Sequence, residues 1–300
     1  MIGALFTTMR PKQWTKNLLL FAGVIFSRNL GNGAMVMRAL WGFLIFCVVS
    51  GVIYILNDIA DKESDQAHPL KRARPIASGE LPVRAAWVAA IALCVVSFGC
   101  AFAINVQFGL CAVIYLALMV GYSLHLKHVV VLDLMLLALG FVLRAVAGVW
   151  AIRGMGTEVA LTSWFIACAF FLALFLAICK RRHELLLLED QAQSHRPVLE
   201  HYSPAFLDQM VSVSTAATVI CYAIYTTSAQ AIGSLHRDDG AISPMVYTLP
   251  FVVYGIFRYL YQVYRREQGG APENVLLTDK WMIANIVLWL IAVLAILYYR

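Results

Sequence analysis

Of 300 residues, 61% are hydrophobic and only 13% are charged, against the ~25% charged residues of an ordinary soluble domain. The net charge of +6 shows a basic excess. This composition excludes a soluble enzyme and predicts an all-α, polytopic membrane bundle: apolar runs near the ~20 residues that cross a bilayer recur along the chain. They are continuously apolar, without strand-like alternation, which favours helices over a closed barrel.

The expected helices, about nine, lie near residues 10–28, 37–57, 83–104, 107–125, 129–152, 159–180, 209–232, 244–264 and 280–299. The first is the weakest. Leu18 to Ser27 is apolar but short, and either draws on Leu5 and Phe6 or stops short of a full crossing. Met1 to Ser27 has some look of a signal peptide, yet Arg10, Lys12 and Lys16 sit deep within it and no small-residue cleavage site follows, so it is read as retained. With nine crossings, one side collects the basic residues at 10–16, 62–84, 127, 180–196 and 265–280, while the other holds only Arg28, Arg38, Arg153, Arg237 and Arg300. The positive-inside rule then puts the N-terminus in the cytoplasm of a plasma-membrane protein. The two long loops, about 58–82 and 181–208, fall on that face, where function is expected. The whole chain, 1–300, is read as one transmembrane domain. The seven cysteines lie within or at the ends of apolar runs, with no CxxC pair, and are expected as packing residues without disulfides.

Helix two runs into Asn57-Asp58-Ile59-Ala60-Asp61-Lys62-Glu63-Ser64-Asp65. Positions 57, 61 and 65 are four apart, and 58 and 61 three apart, so the four side chains share one helix face. Three like charges on one stripe repel unless a cation sits among them. Mg²⁺ takes one or two carboxylates and completes its shell with water and phosphate oxygens, so Asp58, Asp61 and Asp65 are candidate metal ligands for a bound diphosphate, with Asn57 beside them. A lone DxxD would read as a solvated helix end; the full stripe at the foot of an apolar helix, followed at once by His68, Lys71, Arg72, Arg74 and Pro75, does not. Arg72 and Arg74 are suited to the rest of a polyphosphate, although such charges also satisfy the positive-inside rule.

The NDxxDxxxD stripe, the Lys71-to-Gly79 loop with its Arg-Pro-Ile-Ala-Ser-Gly, and the run Tyr122-Ser123-Leu124-His125-Leu126-Lys127 together resemble the UbiA-type intramembrane prenyltransferase superfamily across essentially the whole chain. Usual members of that superfamily carry a second acidic motif after helix six. Here the same place reads Cys179-Lys180-Arg181-Arg182-His183-Glu184-Leu185, which is mostly basic and suits direct phosphate binding. With this departure, the opening Arg10-Pro11-Lys12-Gln13-Trp14-Thr15-Lys16-Asn17, the segment Asp133 to Gly148 with Arg144, and Leu276-Leu277-Thr278-Asp279 resemble the decaprenyl-phosphate phosphoribosyltransferase branch found in actinobacteria.

That resemblance implies Mg²⁺-dependent transfer of 5-phosphoribosyl from 5-phosphoribosyl 1-diphosphate to a polyprenyl phosphate, with diphosphate leaving, for decaprenyl-phosphoryl-arabinose and arabinan cell-wall synthesis. Its partners are that donor, the lipid phosphate and membrane lipid, with no nucleic acid; a homo-oligomer stays open. Lys180, Arg181 and Arg182 are expected to hold the 5-phosphate or the lipid phosphate, and Glu184 a ribose hydroxyl or the metal shell. Lys12, Lys16 and Lys127 are further phosphate candidates, and Tyr122 a ribose or phosphate contact.

Arg144 lies deep in helix five, where an unpaired charge costs at least ~2.5–3.5 kcal/mol. It requires a partner, and Asp133, three turns away, is too far; another helix or the substrate remain open. Asp279 is expected to cap helix nine. Leu185 to Leu188, ending in Glu189 and Asp190, is expected as an interfacial helix acting as a lid. Two other readings stay open: a prenyltransferase acting on an aromatic or quinone-precursor acceptor, and a polytopic transporter with the acidic stripe as a cation site.

Overall fold

In the computed structural model, which describes residues 1–69, 71–155, 162–187, 197–228, 243–265, 275 and 278–299, the described elements are helical and no strand occurs among them. In chain order they are α1 (Ile2–Thr8), a 3-10 helix (Pro11–Phe21), α2 (Ala22–Phe26), α3 (Gly33–Ala60), α4 (Lys62–Ala67), α5 (Pro75–Ser78), α6 (Val83–Ile104), α7 (Val106–Leu124) and α8 (Leu132–Ile152). Then follow α9 (Ser163–Leu187), α10 (Pro204–Thr227), a 3-10 turn (Pro244–Thr248), α11 (Leu249–Arg265) and α12 (Lys280–Tyr298).

Seven of these, α3, α6, α7, α8, α9, α10 and α12, are long and apolar enough to cross a membrane. The first and eighth expected helices take a different form. Residues 11–21 wind as a 3-10 helix carrying Lys12, Gln13, Lys16 and Asn17, and the apolar remainder is the five-residue α2. The eighth is the 17-residue α11, which carries Arg258 and Gln262 and follows a 3-10 turn that starts at Pro244. Polar side chains set the helix starts: Asn32 accepts from the Ala34 and Met35 amides, Asn105 from Phe108, Ser203 from Phe206, and Asp279 from Met282 at 2.8 Å. Asp279 is thus a cap, as expected. The segment expected as a lid lies outside the described residues from position 188 onward, as do Arg196, Arg237, Arg266, Leu276, Leu277 and Arg300.

The chain groups into two compact units, Met1–Lys127 with Leu143–Val159, and His128–Val142 with Ala160–Arg300. In the first, Phe46, Phe108 and Tyr115 pack with tilted rings in a core shared by α3, α7 and the latter part of α8. A second cluster joins α1 and α5 to α3 and α6 through Ala4, Met9, Val52, Ile55, Ile76 and Ala86. The 3-10 helix reaches α8 across glycine: a Cβ on Gly148 would lie 2.1 Å from the Leu20 carbonyl oxygen, and one on Gly23 would lie 2.8 Å from the Gly148 backbone. Small residues let backbones approach this closely where lipid offers no hydrophobic driving force between helices. In the second unit, Phe175, Ile178, Leu207, Val211, Ile256 and Tyr259 join α9, α10 and α11. There the Tyr222 hydroxyl meets Thr248 at 2.6 Å and accepts from the Trp289 indole at 3.0 Å.

Gly148→Ala forces a methyl into the Leu20 backbone, so unfolding in detergent should show a loss of about 2 kcal/mol or more. Gly99→Ala, in the interior of α6 with nothing within 4 Å of the added carbon, should instead leave stability equal or raised by about 0.5–1 kcal/mol. Equal stability of the two variants would contradict the close approach.

Candidate active site

The acidic stripe keeps its geometry through a small break. α3 ends at Ala60 and α4 starts at Lys62, with Asp61 between them at φ −90°, ψ 7°. The four-residue ladder survives, because the Asp61 amide donates to the Asn57 carbonyl at 2.9 Å and the Asp65 amide to the Asp61 carbonyl at 2.8 Å. Asp58 and Asp65 are buried, each side chain 3% exposed, whereas Asp61 is 30% exposed.

The loop that follows folds back for reasons written in its sequence. Lys71–Ala73 form a 3-10 turn; Pro75 occupies the first turn of α5, where its missing N–H costs nothing; and Gly79 closes that helix at φ 86°, a left-handed position glycine takes without strain. The Gln66 amide ties α4 to the Ala77 carbonyl at 3.1 Å. This return places the Arg74 guanidinium against the stripe. One nitrogen, Nη1, donates to Asp65 at 2.6 Å and to Asp58 at 3.2 Å. From the other side, Arg10, in a left-handed backbone conformation (φ 53°) between α1 and the 3-10 helix, donates to Asp58 at 2.5 Å and lies 4.8 Å over the Tyr54 ring. Lys127, on a 3-10 turn after α7, lies 3.5 Å from Asp61, which also accepts from the Asn57 amide at 3.0 Å.

The cations among the carboxylates are therefore Arg10, Arg74 and Lys127. Among the described residues, no three His, Cys, Asp or Glu side chains are gathered as a ready metal cage. The donors still fit Mg²⁺ in kind: they are all oxygens, and two buried carboxylates converge on one nitrogen of Arg74, the place a compact cation takes if that side chain turns away.

In the second unit, α9 carries the basic run at its end. Arg181 is buried; its Nη2 donates to Asp133 at 2.6 Å and its Nη1 to Glu184 at 2.7 Å, while Nε is buried without a hydrogen-bond partner among the described residues. Arg182 donates to Asp208 at 2.6 Å and lies 4.1 Å over the Tyr264 ring, whose hydroxyl donates to the same carboxylate. Lys180 is exposed, with its ammonium 3.9 Å from Glu184. Asp133 also accepts from the Tyr202 hydroxyl at 2.7 Å. Burial, with the Asp133 carboxylate beside it, pushes the Tyr202 phenol up, so it stays a donor.

The remaining sequence candidates separate by depth. Lys12 and Arg72 are exposed, while Lys16 and Tyr122 are half-buried. Arg144 is buried in the first unit; its Nε donates to Asn17 at 2.8 Å, its Nη2 to the Tyr115 hydroxyl at 2.5 Å, and Ser50 lies within hydrogen-bond reach of both partners. Its partners come from other helices, as the distance to Asp133 required. Sequence reasoning did not assign Arg10, Tyr202, Asp208, Asn17 or Tyr115 to these networks. Each meets its partner across 26 to 127 residues, and no local spacing marks such pairs.

Residues 18–278 match the model of the UbiA prenyltransferase family. The chain belongs to the UbiA prenyltransferase family. Among relatives, a Corynebacterium glutamicum protein named decaprenyl-phosphate phosphoribosyltransferase is 35% identical over 97% of this chain and 85% of its own length. A Mycobacterium tuberculosis protein of the same name is 30% identical over 98% of this chain and 94% of its own. A solved UbiA homologue from Archaeoglobus fulgidus, bound to GPP and Mg²⁺, superposes with a TM-score of 0.72 at 22% identity, covering 98% of this chain and 99% of that one. The fold is therefore that of the UbiA family, and the chain is a multi-pass membrane protein.

In this UbiA family member the arginine bridge yields a direct test. Arg74→Ala leaves two buried carboxylates short of a cation, so in EDTA it should lower stability by about 3 kcal/mol. Added Mg²⁺ should restore more stability to the variant than to the wild type, because the freed oxygens are the donors the ion takes. An equal Mg²⁺ response in thermal unfolding of both proteins would remove these carboxylates from metal binding.

Proposed function

We propose that this chain transfers the 5-phosphoribosyl group of 5-phosphoribosyl 1-diphosphate to a polyprenyl phosphate, decaprenyl phosphate being the acceptor its relatives' names indicate. The observation that carries the reading is the near-full-length similarity to proteins named for that acceptor and that group. The residues agree with it in kind: the first unit carries the carboxylates of the stripe, and the second a basic turn where a second acidic motif would otherwise be expected.

In the reaction, the bond from ribose C1 to the diphosphate oxygen breaks, that electron pair leaves with diphosphate, and an oxygen of the lipid phosphate forms the new bond to C1. The attacking oxygen is already an anion, so no side chain has to remove a proton. Asp58, Asp61 and Asp65, with Asn57 orienting Asp61, are the residues that would hold Mg²⁺. When bound, the ion neutralises charge on the departing diphosphate. Arg10, Arg74 and Lys127 already lie on these carboxylates and are the nearest cations for the same diphosphate oxygens. Lys180 and Glu184, the exposed and half-buried members of the basic turn, are assigned to a phosphate and a ribose hydroxyl. Lys12, Lys16, Arg72 and Tyr122 are assigned as further phosphate or ribose contacts, and Arg144 keeps the packing role that Asn17 and Tyr115 give it.

The finer topology belongs to the same reading. The runs 11–26 and 244–265 complete nine crossings, and the basic loops face the cytoplasm at the plasma membrane, where a soluble phosphorylated donor is available. The product supplies decaprenyl-phosphoryl arabinose for arabinan synthesis.

Purified protein given radiolabelled phosphoribosyl diphosphate, decaprenyl phosphate and Mg²⁺ should move label into the lipid phase. EDTA should abolish transfer, and Asp61→Ala, at a half-exposed position, should fold yet lose ~10²-fold or more in rate. Prenylation of an aromatic acceptor by a prenyl diphosphate, with no phosphoribosyl transfer, would return the chain to an ordinary prenyltransferase.

A further inference from the structure

The basic turn is not three equivalent cations. Arg181 has a side chain only 3% exposed, and both of its terminal nitrogens are on carboxylates. Arg182 is committed to Asp208 and Tyr264. Lys180, at 47% exposed, and Glu184, at 27%, are the members that meet solvent.

Behind them runs a continuous chain of hydrogen bonds. The Val131 amide donates to the Tyr202 hydroxyl at 2.7 Å, and that hydroxyl donates to Asp133 Oδ1 at 2.7 Å. Arg181 Nη2 donates to Asp133 Oδ2 at 2.6 Å, and Nη1 to Glu184 Oε2 at 2.7 Å. Glu184 Oε1 faces the Lys180 ammonium. Two features indicate that the far end of this chain is held firmly. Val131 sits at φ 68°, an outlying conformation for a β-branched residue, which aims its amide at Tyr202. Asp133 is fully buried, so its two oxygens have only protein donors to meet.

We infer that Asp133 and Tyr202 are positioning residues that act through the buried Arg181 to fix the orientation of Glu184, and with it Lys180, toward the phosphoribosyl donor. This rests on the assignment above of Lys180 and Glu184 to that donor. A guanidinium clamped between a buried and a half-exposed carboxylate leaves the second carboxylate one rotamer in place of several. The donor then meets an ordered acceptor, and the cost of ordering it is not charged to binding. The inference also gives Arg181 a role distinct from phosphate contact: its variants should act on donor affinity through Glu184.

The test is a double-mutant cycle in the lipid-transfer assay. Tyr202→Phe removes one hydroxyl and keeps the ring that stacks on Phe206. It should raise KM for phosphoribosyl diphosphate about five- to tenfold, leave KM for the lipid phosphate unchanged, and change kcat by less than about threefold. In a Glu184→Gln background, Tyr202→Phe should add little further effect, because the group it positions is already altered. Asp133→Asn gives a second entry to the same cycle, should Tyr202→Phe purify poorly. Full additivity with Glu184→Gln, or an unchanged donor KM in a folded Tyr202→Phe protein, overturns the positioning role alone. A folded wild-type protein that moves no phosphoribosyl label overturns the assigned reaction, and this inference with it.

Discussion

A carboxylate buried at the end of an apolar helix has to be paired, and the arrangement around α3 follows from that constraint. Taking an ion out of water costs several kcal/mol even after relaxation, and Asp58 and Asp65 are almost fully withdrawn. Arg74 and Arg10 answer that cost from two directions, one from the returning loop and one from the segment before the 3-10 helix. The loop sequence makes sense in these terms. Proline at the start of α5 and glycine at its end fix where the short helix begins and stops, and this sets where Arg74, its N-cap residue, points. The apolar residues of α1 and α5 pack on α3 and α6 and hold both arginines near the stripe.

The same constraint gives the site its chemistry. A permanent lock would bury the carboxylates among apolar groups and fully satisfied partners. Here Arg10, Arg74 and Lys127 stay between a quarter and a third exposed, and Asp61 is open to a similar degree. Pairs at this depth are screened partly by water and are worth less than fully buried ones. In the proposed function, a divalent ion bearing a polyphosphate would offer the carboxylates a cation and the arginines an anion at once. Under that reading, the groups that balance one another here are the ones a metal–diphosphate complex would engage.

The sequence made the membrane helices and the stripe legible for a physical reason: both signals are local. Continuous apolarity marks α3, α6, α7, α8, α9, α10 and α12, and the four-residue spacing of Asn57, Asp61 and Asp65 survives the break at Asp61 because the backbone ladder carries through it. Two elements depart from the expected helices: the first winds as a 3-10 helix through the polar Lys12 to Asn17, and the eighth begins as a 3-10 turn at Pro244 and carries Arg258 and Gln262 in its α-helical part. What stayed hidden were pairings set by packing. Arg10 reads as one more positive-inside charge, yet it meets Asp58 across 48 residues. Asp133 draws the eye to Arg144 on its own helix, but bonds Arg181 and Tyr202. Arg144 is served by Asn17 and Tyr115, neutral groups that no charge-pairing rule would select.

The basic turn after α9 shows why a run of like residues cannot be read as a run of like functions. Lys180, Arg181 and Arg182 project in three directions from consecutive positions on a helix, about 100° apart. One faces solvent, one the start of α8, and one α10 and α11. The two arginines hold the close pairs, at 2.6–2.7 Å, while the Lys180 ammonium lies 3.9 Å from Glu184. Their planar, multidonor guanidinium groups can bridge carboxylates and lie over an aromatic ring, whereas lysine offers a compact, strongly hydrated charge on a flexible stem. The division therefore follows residue chemistry: the arginines build the support, and the more exposed Lys180 is the one that the proposed function gives to a phosphate.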